Sequence, residues 1–257
     1  RDKVSRTEIG IDDVRLIKRQ SNLKPYEGRC RVFIVDGAEN MSLEASNALL
    51  KTLEEPPGQE LLILLSCEED LVIPTIRSRC QKIQLGPMPH HELKRYLIDN
   101  CSVEDDRAEI LSRLSRGCVG WVLNSLRDET VMQRRQSRLG DFFSLMSSSV
   151  EDRFRVANEM ANLFYRDREE VQEILNVWLA WWRDLLLISE GTETAIYNID
   201  MIDEVQRMSN MYSVSEIVKI AKTILEAIHA LKRNGNARLW LEYIMLSLPR
   251  MNAYKEL

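Results

Sequence analysis

The stretch Arg-Val-Phe-Ile-Val-Asp-Gly at residues 31–37 decides the fold of the first part of the chain. Its β-branched and aromatic residues form a run of the length expected of a strand buried on both faces, which ends at Asp36-Gly37. Residues 61–65, Leu-Leu-Ile-Leu-Leu, form a second such run. Between the two runs, apolar residues recur at helical spacing after Ser42, a residue type that caps helices well. Strand, helix and strand in this order predict a parallel βαβ unit.

The character of the sequence changes at Pro87-Met88-Pro89. Before this point, a short segment begins at Pro74, and Ile83–Leu85 is predicted to be a third short strand. Beyond it, strand-like runs disappear and apolar residues recur with the 3.6-residue period of helices. The pattern is typical of short helices followed by a bundle of long amphipathic ones, predicted at residues 90–101, 105–115, 120–128, 134–147, 150–165, 168–189, 200–210, 214–234 and 237–248.

Size and composition exclude several classes of function. With 257 residues, 44% of them hydrophobic, the chain can bury a sizeable core. Its net charge of −5 argues against a protein whose whole surface wraps nucleic acid, because phosphate binding needs an excess of Lys and Arg. No apolar run approaches the roughly 20 residues of a membrane span, and Arg1-Asp2-Lys3 does not begin a signal peptide. We therefore expect a cytoplasmic protein that does not bind membranes and, since residue 1 is not Met, a piece of a longer polypeptide.

No metal site is predicted from the cysteines and histidines. The cysteines are odd in number, widely spaced and without a Cys-x-x-Cys pair, so buried, reduced thiols are expected. His90, His91 and His229 lack the spacing that would bring metal ligands together. The five cysteines are Cys30, Cys67, Cys80, Cys101 and Cys118.

An acidic residue stands at the end of the first predicted strand. In phosphate-transferring ATPases, a carboxylate at this place holds a magnesium-bound water at the carboxyl edge of the sheet, where the nucleotide binds. Asp36 has this position here. Taken alone the motif is weak, because a polar strand end that leads into a turn explains it more simply.

Three further stretches occur in a fixed order: Tyr-Glu-Gly-Arg-Cys-Arg-Val-Phe-Ile-Val-Asp (residues 26–36), Asn-Ala-Leu-Leu-Lys-Thr-Leu-Glu-Glu-Pro-Pro (47–57) and Pro-Thr-Ile-Arg-Ser-Arg-Cys-Gln (74–81). Together they resemble the clamp-loader branch of the AAA+ ATPases, which includes the delta-prime and gamma/tau subunits of bacterial DNA polymerase III. The resemblance is dense from Ser21 to Leu85. Beyond Pro89 it extends only to the layout of the helices.

The resemblance implies a role for the arginine of Ser78-Arg79-Cys80. In clamp loaders, the arginine of this motif projects into the ATP site of the neighbouring subunit, where its guanidinium stabilises charge on the transferred phosphate. An arginine supplied in this way can raise the rate by about 10³- to 10⁵-fold. The structural alternative is a surface arginine that caps the short helix beginning at Pro74.

The same comparison reveals departures from the ATP-hydrolysing members of the family. Those members carry Asp-Glu at the strand end, whereas Gly37 follows Asp36 here. The sensor after the second strand would be Ser66 or Cys67 instead of the usual threonines. The lid arginine of a Gly-Ser-x-Arg pattern would fall at Gly120. Asp36 and Ser66 are therefore expected to be degenerate nucleotide contacts.

A phosphate-binding loop of the form Gly-x-x-x-x-Gly-Lys-Ser/Thr does not occur in these residues. Family members place that loop, and usually a four-cysteine zinc module, before the point where this sequence begins, so truncation alone could explain its absence. Truncation does not explain Gly37 or Gly120. These two glycines favour a delta-prime-like subunit that does not hydrolyse ATP.

The resemblance thus predicts a fold that combines α/β and all-α parts: a partial RecA-like AAA+ parallel-sheet domain without its phosphate loop (residues 1–88), a three-helix lid (89–133) and a helical collar for oligomerisation (134–257). The predicted function is a non-hydrolysing clamp-loader subunit that supplies Arg79 in trans during loading of the sliding clamp on primed DNA. Its implied partners are the gamma/tau and delta subunits. No cofactor is expected in these residues, since ATP and Mg²⁺ would be bound by neighbouring subunits.

Two other functions stay open at this point. One is an active gamma/tau-like ATPase whose phosphate loop lies upstream of Arg1. The other is a helical adaptor that retains a decayed AAA+ remnant and has no part in clamp loading.

Two groups of residues in the helical part have two readings each. Trp178, Trp181 and Trp182 make an aromatic-rich helix that suits either the bundle core or a subunit interface. The arginines are interpreted as solvated helix faces, with DNA contact as a minor alternative, at positions Arg134, Arg135, Arg138, Arg153 and Arg155.

Overall fold

A computed structural model describes residues 8–21, 28–55 and 60–250 of the chain. It divides into two compact units, which meet in sequence between Leu85 and Gly86. Some residues of the quoted motifs, at positions 26–27 and 56–57, lie outside the described residues.

The first unit contains the predicted βαβ arrangement. Its two strands pair in parallel, with Arg31 opposite Glu60 and Asp36 opposite Leu65. The connecting helix begins where the sequence places its cap, because the Ser42 hydroxyl accepts a hydrogen bond from the Ala45 N–H at 3.0 Å. The elements of this unit are α1 (Ile11–Ser21), β1 (Arg31–Asp36), α2 (Leu43–Glu54), β2 (Glu60–Leu65) and α3 (Pro74–Arg77).

Only one face of this sheet is covered within the described residues. Leu62 and Leu64 pack onto a core that α1, α2 and α3 share with them. On the other face, Val32 is 48% exposed and Ile34 64% exposed. The prediction that this strand is buried on both faces is therefore wrong for the part of the chain that is described. The buried residues of the core are Val14, Ala38, Ala45, Leu49, Val72 and Ile76.

The third predicted strand, Ile83–Leu85, is also wrong. These residues have no regular secondary structure, and Leu85 is 89% exposed. A strand needs a neighbour for its backbone N–H and C=O groups, and the described sheet consists of β1 and β2 alone. An apolar run without such a neighbour stays irregular.

The second unit is helical, as predicted, so the combined α/β and all-α fold class is confirmed. One core lies among the three short helices and a larger one among the long helices. The helix that starts the long group begins at Thr130, so the expected boundary at residue 134 falls inside it. The helices are α4 (His90–Cys101), α5 (Asp105–Leu114), α6 (Val119–Arg127), α7 (Thr130–Ser147), α8 (Val150–Arg166), α9 (Arg168–Ser189), α10 (Ile202–Ser209), α11 (Val214–Lys232) and α12 (Ala237–Ser247).

The three tryptophans of α9 belong to the core of the long helices. Trp178 is 1% exposed, and Trp181 and Trp182 are fully buried. The ring of Trp178 lies 5.2 Å from that of Phe142, and the ring of Trp181 meets Phe143 edge-on at 4.9 Å. These side chains therefore fill the bundle and do not reach its surface.

Two of the arginines that were interpreted as solvated are buried. Arg153 is 3% exposed and donates hydrogen bonds to five backbone carbonyls. Because the last carbonyls of a helix have no partner within the helix, a buried guanidinium there satisfies several of them at once. Arg135 is 7% exposed and forms an ion pair with Asp200 at 2.7 Å. The carbonyls that Arg153 binds, at the ends of α7 and α12, are Leu145 (3.0 Å), Met146 (2.9 Å), Met245 (3.2 Å), Leu248 (2.7 Å) and Pro249 (2.8 Å).

Candidate functional site

The carboxyl edge of the sheet brings two of the predicted site residues together. Asp36 ends β1 opposite Leu65, which ends β2, so Asp36 and Ser66 leave the sheet at the same edge. Both residues are exposed. The Ser66 hydroxyl accepts a hydrogen bond from the Glu68 N–H at 3.1 Å, which is a local turn contact. The edge therefore offers one exposed carboxylate and a serine whose oxygen already has a backbone partner.

The backbone after Asp36 favours a glycine. Gly37 has a φ of 77° and a ψ of 48°, in the left-handed region, and a short 3-10 helix, Ala38–Asn40, follows it. A Cβ atom at Gly37 would lie 2.9 Å from the side-chain nitrogen of Asn40. The position at which ATP-hydrolysing relatives would carry a glutamate is therefore built here as a tight turn.

The nearest glutamate, Glu39, is engaged in a hydrogen bond at the same edge of the sheet. Glu39 Oε1 accepts a hydrogen bond from the Cys67 N–H at 3.3 Å and so ties the turn after β1 to the end of β2. Its other oxygen, Oε2, is buried without a hydrogen-bond partner among the described residues. The carboxylate of Glu39 thus serves as a link between the two strand ends.

Ser78, Arg79 and Cys80 follow the short helix α3. Pro74 is the first residue of this helix, where its missing N–H costs nothing, and Ile76 is 1% exposed and anchors the helix in the core. The Ser78 hydroxyl donates to the Thr75 carbonyl at 3.1 Å. Cys80 packs against the core, and burial raises the pKa of its thiol. The segment is therefore fixed on both sides of Arg79.

Arg79 itself is exposed, and its partners among the described residues belong to the first unit. Its Nη1 donates to the Thr75 carbonyl at 3.0 Å, which is the helix-capping contact that the structural alternative predicts. Its Nη2 forms an ion pair with Glu54 Oε1 at 2.7 Å. Its side chain is 37% exposed, so part of the fork of guanidinium donors faces solvent.

Sequence reasoning missed Glu54 as the partner of Arg79. Glu54 is the last residue of α2 and lies inside the quoted stretch at residues 47–57. The negative charge of Glu54 is the signal in the sequence that could have suggested this pairing. The contact joins two of the motif stretches, through residues that lie 25 positions apart in the chain.

The position of the expected lid arginine lies in the second unit. Gly120 is exposed in the first turn of α6, and a Cβ atom there would meet no atom within 4 Å. Packing therefore leaves room for a side chain at this position, in contrast to Gly37. The missing arginine at Gly120 is a feature of the sequence that the local fold does not impose.

Residues 8–21, 28–55 and 60–250 contain neither a cluster of metal ligands nor a membrane-spanning helix. No three His, Cys, Asp or Glu side chains come together as a metal site would require. No helix in this part of the chain is long and apolar enough to cross a membrane.

Comparisons with known proteins bear on these observations. The family described as "DNA polymerase III, delta subunit" matches residues 2–89, and the family described as "DNA polymerase III, delta subunit, C terminal" matches residues 132–249. The delta' subunit of Bacillus subtilis DNA polymerase III is 22% identical over 235 residues, which are 91% of this chain. Over most of its length, the chain is therefore similar to delta-prime-type subunits of DNA polymerase III.

Other relatives match shorter parts of the chain. The delta' subunit of Escherichia coli DNA polymerase III is 32% identical over 148 residues, 54% of this chain. A gamma/tau subunit of Mycobacterium bovis is 37% identical over 95 residues, 37% of this chain. The chain spans 70% of the length of the Bacillus subtilis relative, 44% of the Escherichia coli one and 16% of the Mycobacterium bovis one.

A match was also found among solved structures. A gamma subunit-related protein of DNA polymerase III from Thermotoga maritima is 21% identical, with a TM-score of 0.47. The match covers 94% of this chain and 79% of that one.

Proposed function

We propose that this chain is a non-hydrolysing subunit of the clamp loader that supplies Arg79 to ATP bound by a neighbouring subunit. The proposal rests on the position of Arg79, which is exposed on a turn that is fixed on both sides. A guanidinium held in this way can meet a phosphate that another chain brings, because its donors match phosphate oxygens and its charge does not titrate.

The chain's own strand edge supports the non-hydrolysing role. Water activation in this class of ATPase needs a carboxylate directly after Asp36, and the left-handed turn at Gly37 disfavours any side chain there. Glu39 is bound to the Cys67 N–H and is not free to replace it. Gly120 offers no positive charge from the lid. Asp36 and Ser66 remain as weak nucleotide contacts at best.

The partners follow from the same proposal. The gamma/tau subunits would provide the ATP and Mg²⁺ that Arg79 approaches, and the delta subunit would complete the ring. The substrates of the complex would be the sliding clamp and primed DNA. The collar, residues 134–257, would hold the subunits together through its surface, since Trp178, Trp181 and Trp182 are buried within the bundle.

A second candidate is an active gamma/tau-like ATPase. The similarity to the gamma/tau subunit of Mycobacterium bovis, 37% identical over 95 residues, favours it. Its phosphate loop would then lie in sequence upstream of Arg1.

Reconstitution separates the two candidates. The whole protein that contains this chain is assayed for ATP hydrolysis alone and after addition to purified gamma/tau and delta subunits with clamp and primed DNA. The proposal predicts no turnover by the protein alone and a large rise in turnover when it completes the complex. Turnover by the protein alone, at a rate similar to that of gamma/tau, would support the second candidate and overturn the first.

A further inference from the structure

A cavity of about 300 Å³ lies within the second unit, between the turn after α5 and the helices α6, α7 and α9. Four of the residues that line it are arginines. Its size is at the small end of the range for ligand sites, roughly 300–1,000 Å³. The arginines are Arg116, Arg134, Arg135 and Arg138.

Two of these arginines are neutralised by the protein. Arg135 pairs with Asp200 at 2.7 Å, and Arg138 pairs with both Glu170 and Glu173 at 2.8 Å. The acidic groups around the cavity are thus already engaged with these two guanidinium groups.

The other two arginines have no such partner. Among the described residues, neither Arg116 nor Arg134 forms a hydrogen bond or an ion pair through its guanidinium, although both line the cavity. Arg116 stands in the left-handed region with a φ of 53°, at the turn that leads to Gly117. Arg116 as a whole is exposed, although desolvation around its guanidinium lowers the pKa of that group. Two guanidinium groups therefore line the cavity without a direct contact to a carboxylate among the described residues, while Glu173 attracts Arg116 and Asp128 attracts Arg134 over a longer range.

The wall of the cavity also carries neutral groups that are held in place. Tyr197 lines it, and the guanidinium of Arg183 lies 3.9 Å from the centre of the Tyr197 ring. The Tyr197 N–H donates to Asp184 at 3.0 Å, which fixes the backbone at this point. Asn124 adds an amide to the wall. The neutral polar groups of the cavity wall thus lie on ordered parts of the second unit.

We propose that this cavity binds a small anion that carries a phosphate group. Arginine is suited to this ligand, because its planar fork of N–H groups matches the oxygens of phosphate and its charge assists the hydrogen bonds. Arg116 and Arg134 supply guanidinium donors that make no hydrogen bond among the described residues, while the hydroxyl of Tyr197 and the amide of Asn124 supply neutral donors. Inorganic phosphate, pyrophosphate and the phosphates of a nucleotide share this chemistry. The site is separate from Arg79 and does not depend on the proposed function.

The test uses the whole protein and titrates it with inorganic phosphate, pyrophosphate or ATP. Binding is followed by calorimetry and by fluorescence, since Trp121 lines the cavity. The test variant is Arg116→Gln with Arg134→Gln, and the control is Arg107→Gln. Arg107 is an exposed arginine of α5 that does not line the cavity. Glutamine removes the charge and keeps a polar, although shorter, side chain.

The proposal predicts saturable binding of at least one of the three probes to the wild-type protein and to the control. The double variant should bind that probe at least about tenfold more weakly and should melt, without anion, close to the wild type, because both side chains are exposed and neither makes a direct polar contact among the described residues that the substitution would remove. The probe that binds most tightly identifies the source of the phosphate group. Absence of binding by all three probes at millimolar concentration, or equal binding by the double variant, would overturn the proposal.

Discussion

Arg79 Nη2 lies 2.7 Å from Glu54 Oε1, so the arginine proposed to act on a neighbour's ATP is paired with a carboxylate of its own chain. The side chains are 37% and 49% exposed, and ion pairs at such exposure contribute only about 0–1 kcal/mol. When Arg79 changes its partner from Glu54 to a phosphate group, the loss of the ion pair therefore costs little free energy. The ion pair can orient the guanidinium before assembly without preventing its transfer.

The first prediction concerns this carboxylate. Glu54→Gln should leave the free energy of unfolding within about 1 kcal/mol of the wild-type value, because the lost pair is exposed. It should preserve or raise DNA-stimulated ATP turnover in the reconstituted complex, since one competitor for the guanidinium has gone. A loss of turnover as deep as that caused by removal of Arg79 would show that Glu54 is needed to position the arginine.

The second prediction concerns Arg153, whose guanidinium joins the carboxyl ends of α7 and α12. Arg153→Met should lower the free energy of unfolding by roughly 2–4 kcal/mol, because buried carbonyls lose their donor. Urea denaturation measures this change. The matched control is Arg155→Met in the same helix, where the side chain is 61% exposed and the expected loss is below about 1 kcal/mol. Equal losses in the two variants would contradict the role of Arg153.

A third prediction follows from a buried carboxylate. Asp184 is fully buried, and its Oδ2 accepts hydrogen bonds from the Tyr197 N–H at 3.0 Å and the Asn198 N–H at 2.8 Å. Desolvation raises the pKa of this carboxyl, and the bonds from Asn198 oppose the rise without cancelling it. The folded state therefore keeps the proton of Asp184 to a higher pH than the unfolded state does.

The sign of the pH dependence follows from this difference. As pH rises from about 4, where an unfolded Asp ionises, through the raised folded pKa, the unfolded state binds fewer protons and the contribution of Asp184 to stability falls. The contribution of Asp184 to stability is constant at higher pH. The free energy of unfolding of the wild type minus that of Asp184→Asn, from urea denaturation at several pH values, should fall in this window. A difference that rises with pH would contradict the argument.

The fourth prediction compares two glycines of the same turn region. A Cβ atom at Gly117, where φ is 84°, would lie 2.6 Å from the Cβ of Pro87, whereas one at Gly120 would meet open space. Gly117→Ala should lower the free energy of unfolding by about 1–3 kcal/mol, from strain and crowding. Gly120→Ala should be neutral or stabilising by up to about 1 kcal/mol, because alanine suits a helix better. The reverse order of the two variants would refute this geometry.

Much of the fold could be predicted from periodicity. The βαβ unit followed from two apolar runs and the cap at Ser42, and the bundle followed from helical spacing, because both patterns record burial directly. Ile83–Leu85 was misassigned, since an apolar run does not reveal whether a neighbouring strand exists to pair with it. The start of α7 at Thr130 was missed because helix ends depend on local contacts more than on periodicity.

The candidate site was predictable in its residues but not in its contacts. Arg79 was named from its motif, whereas its pairing with Glu54 depends on how α2 and α3 pack. The same limit explains Arg153 and Arg135. From the sequence, an arginine on an amphipathic helix is interpreted as solvated. Only the fold shows that carbonyl groups surround Arg153 and that Asp200 lies beside Arg135. Long-range polar contacts of this kind leave no periodic signal in the sequence.

The most direct test of the account is DNA-stimulated ATP turnover by the reconstituted complex that contains Arg79→Ala. The matched control is Arg77→Ala, two residues away, where an arginine is paired with Asp70 at 3.3 Å and has no proposed part in catalysis. We predict that the complex assembles with either variant and that only Arg79→Ala removes the turnover that depends on this subunit, by about 10³-fold or more at that ATP site. Unchanged turnover with Arg79→Ala in an assembled complex would contradict the central claim.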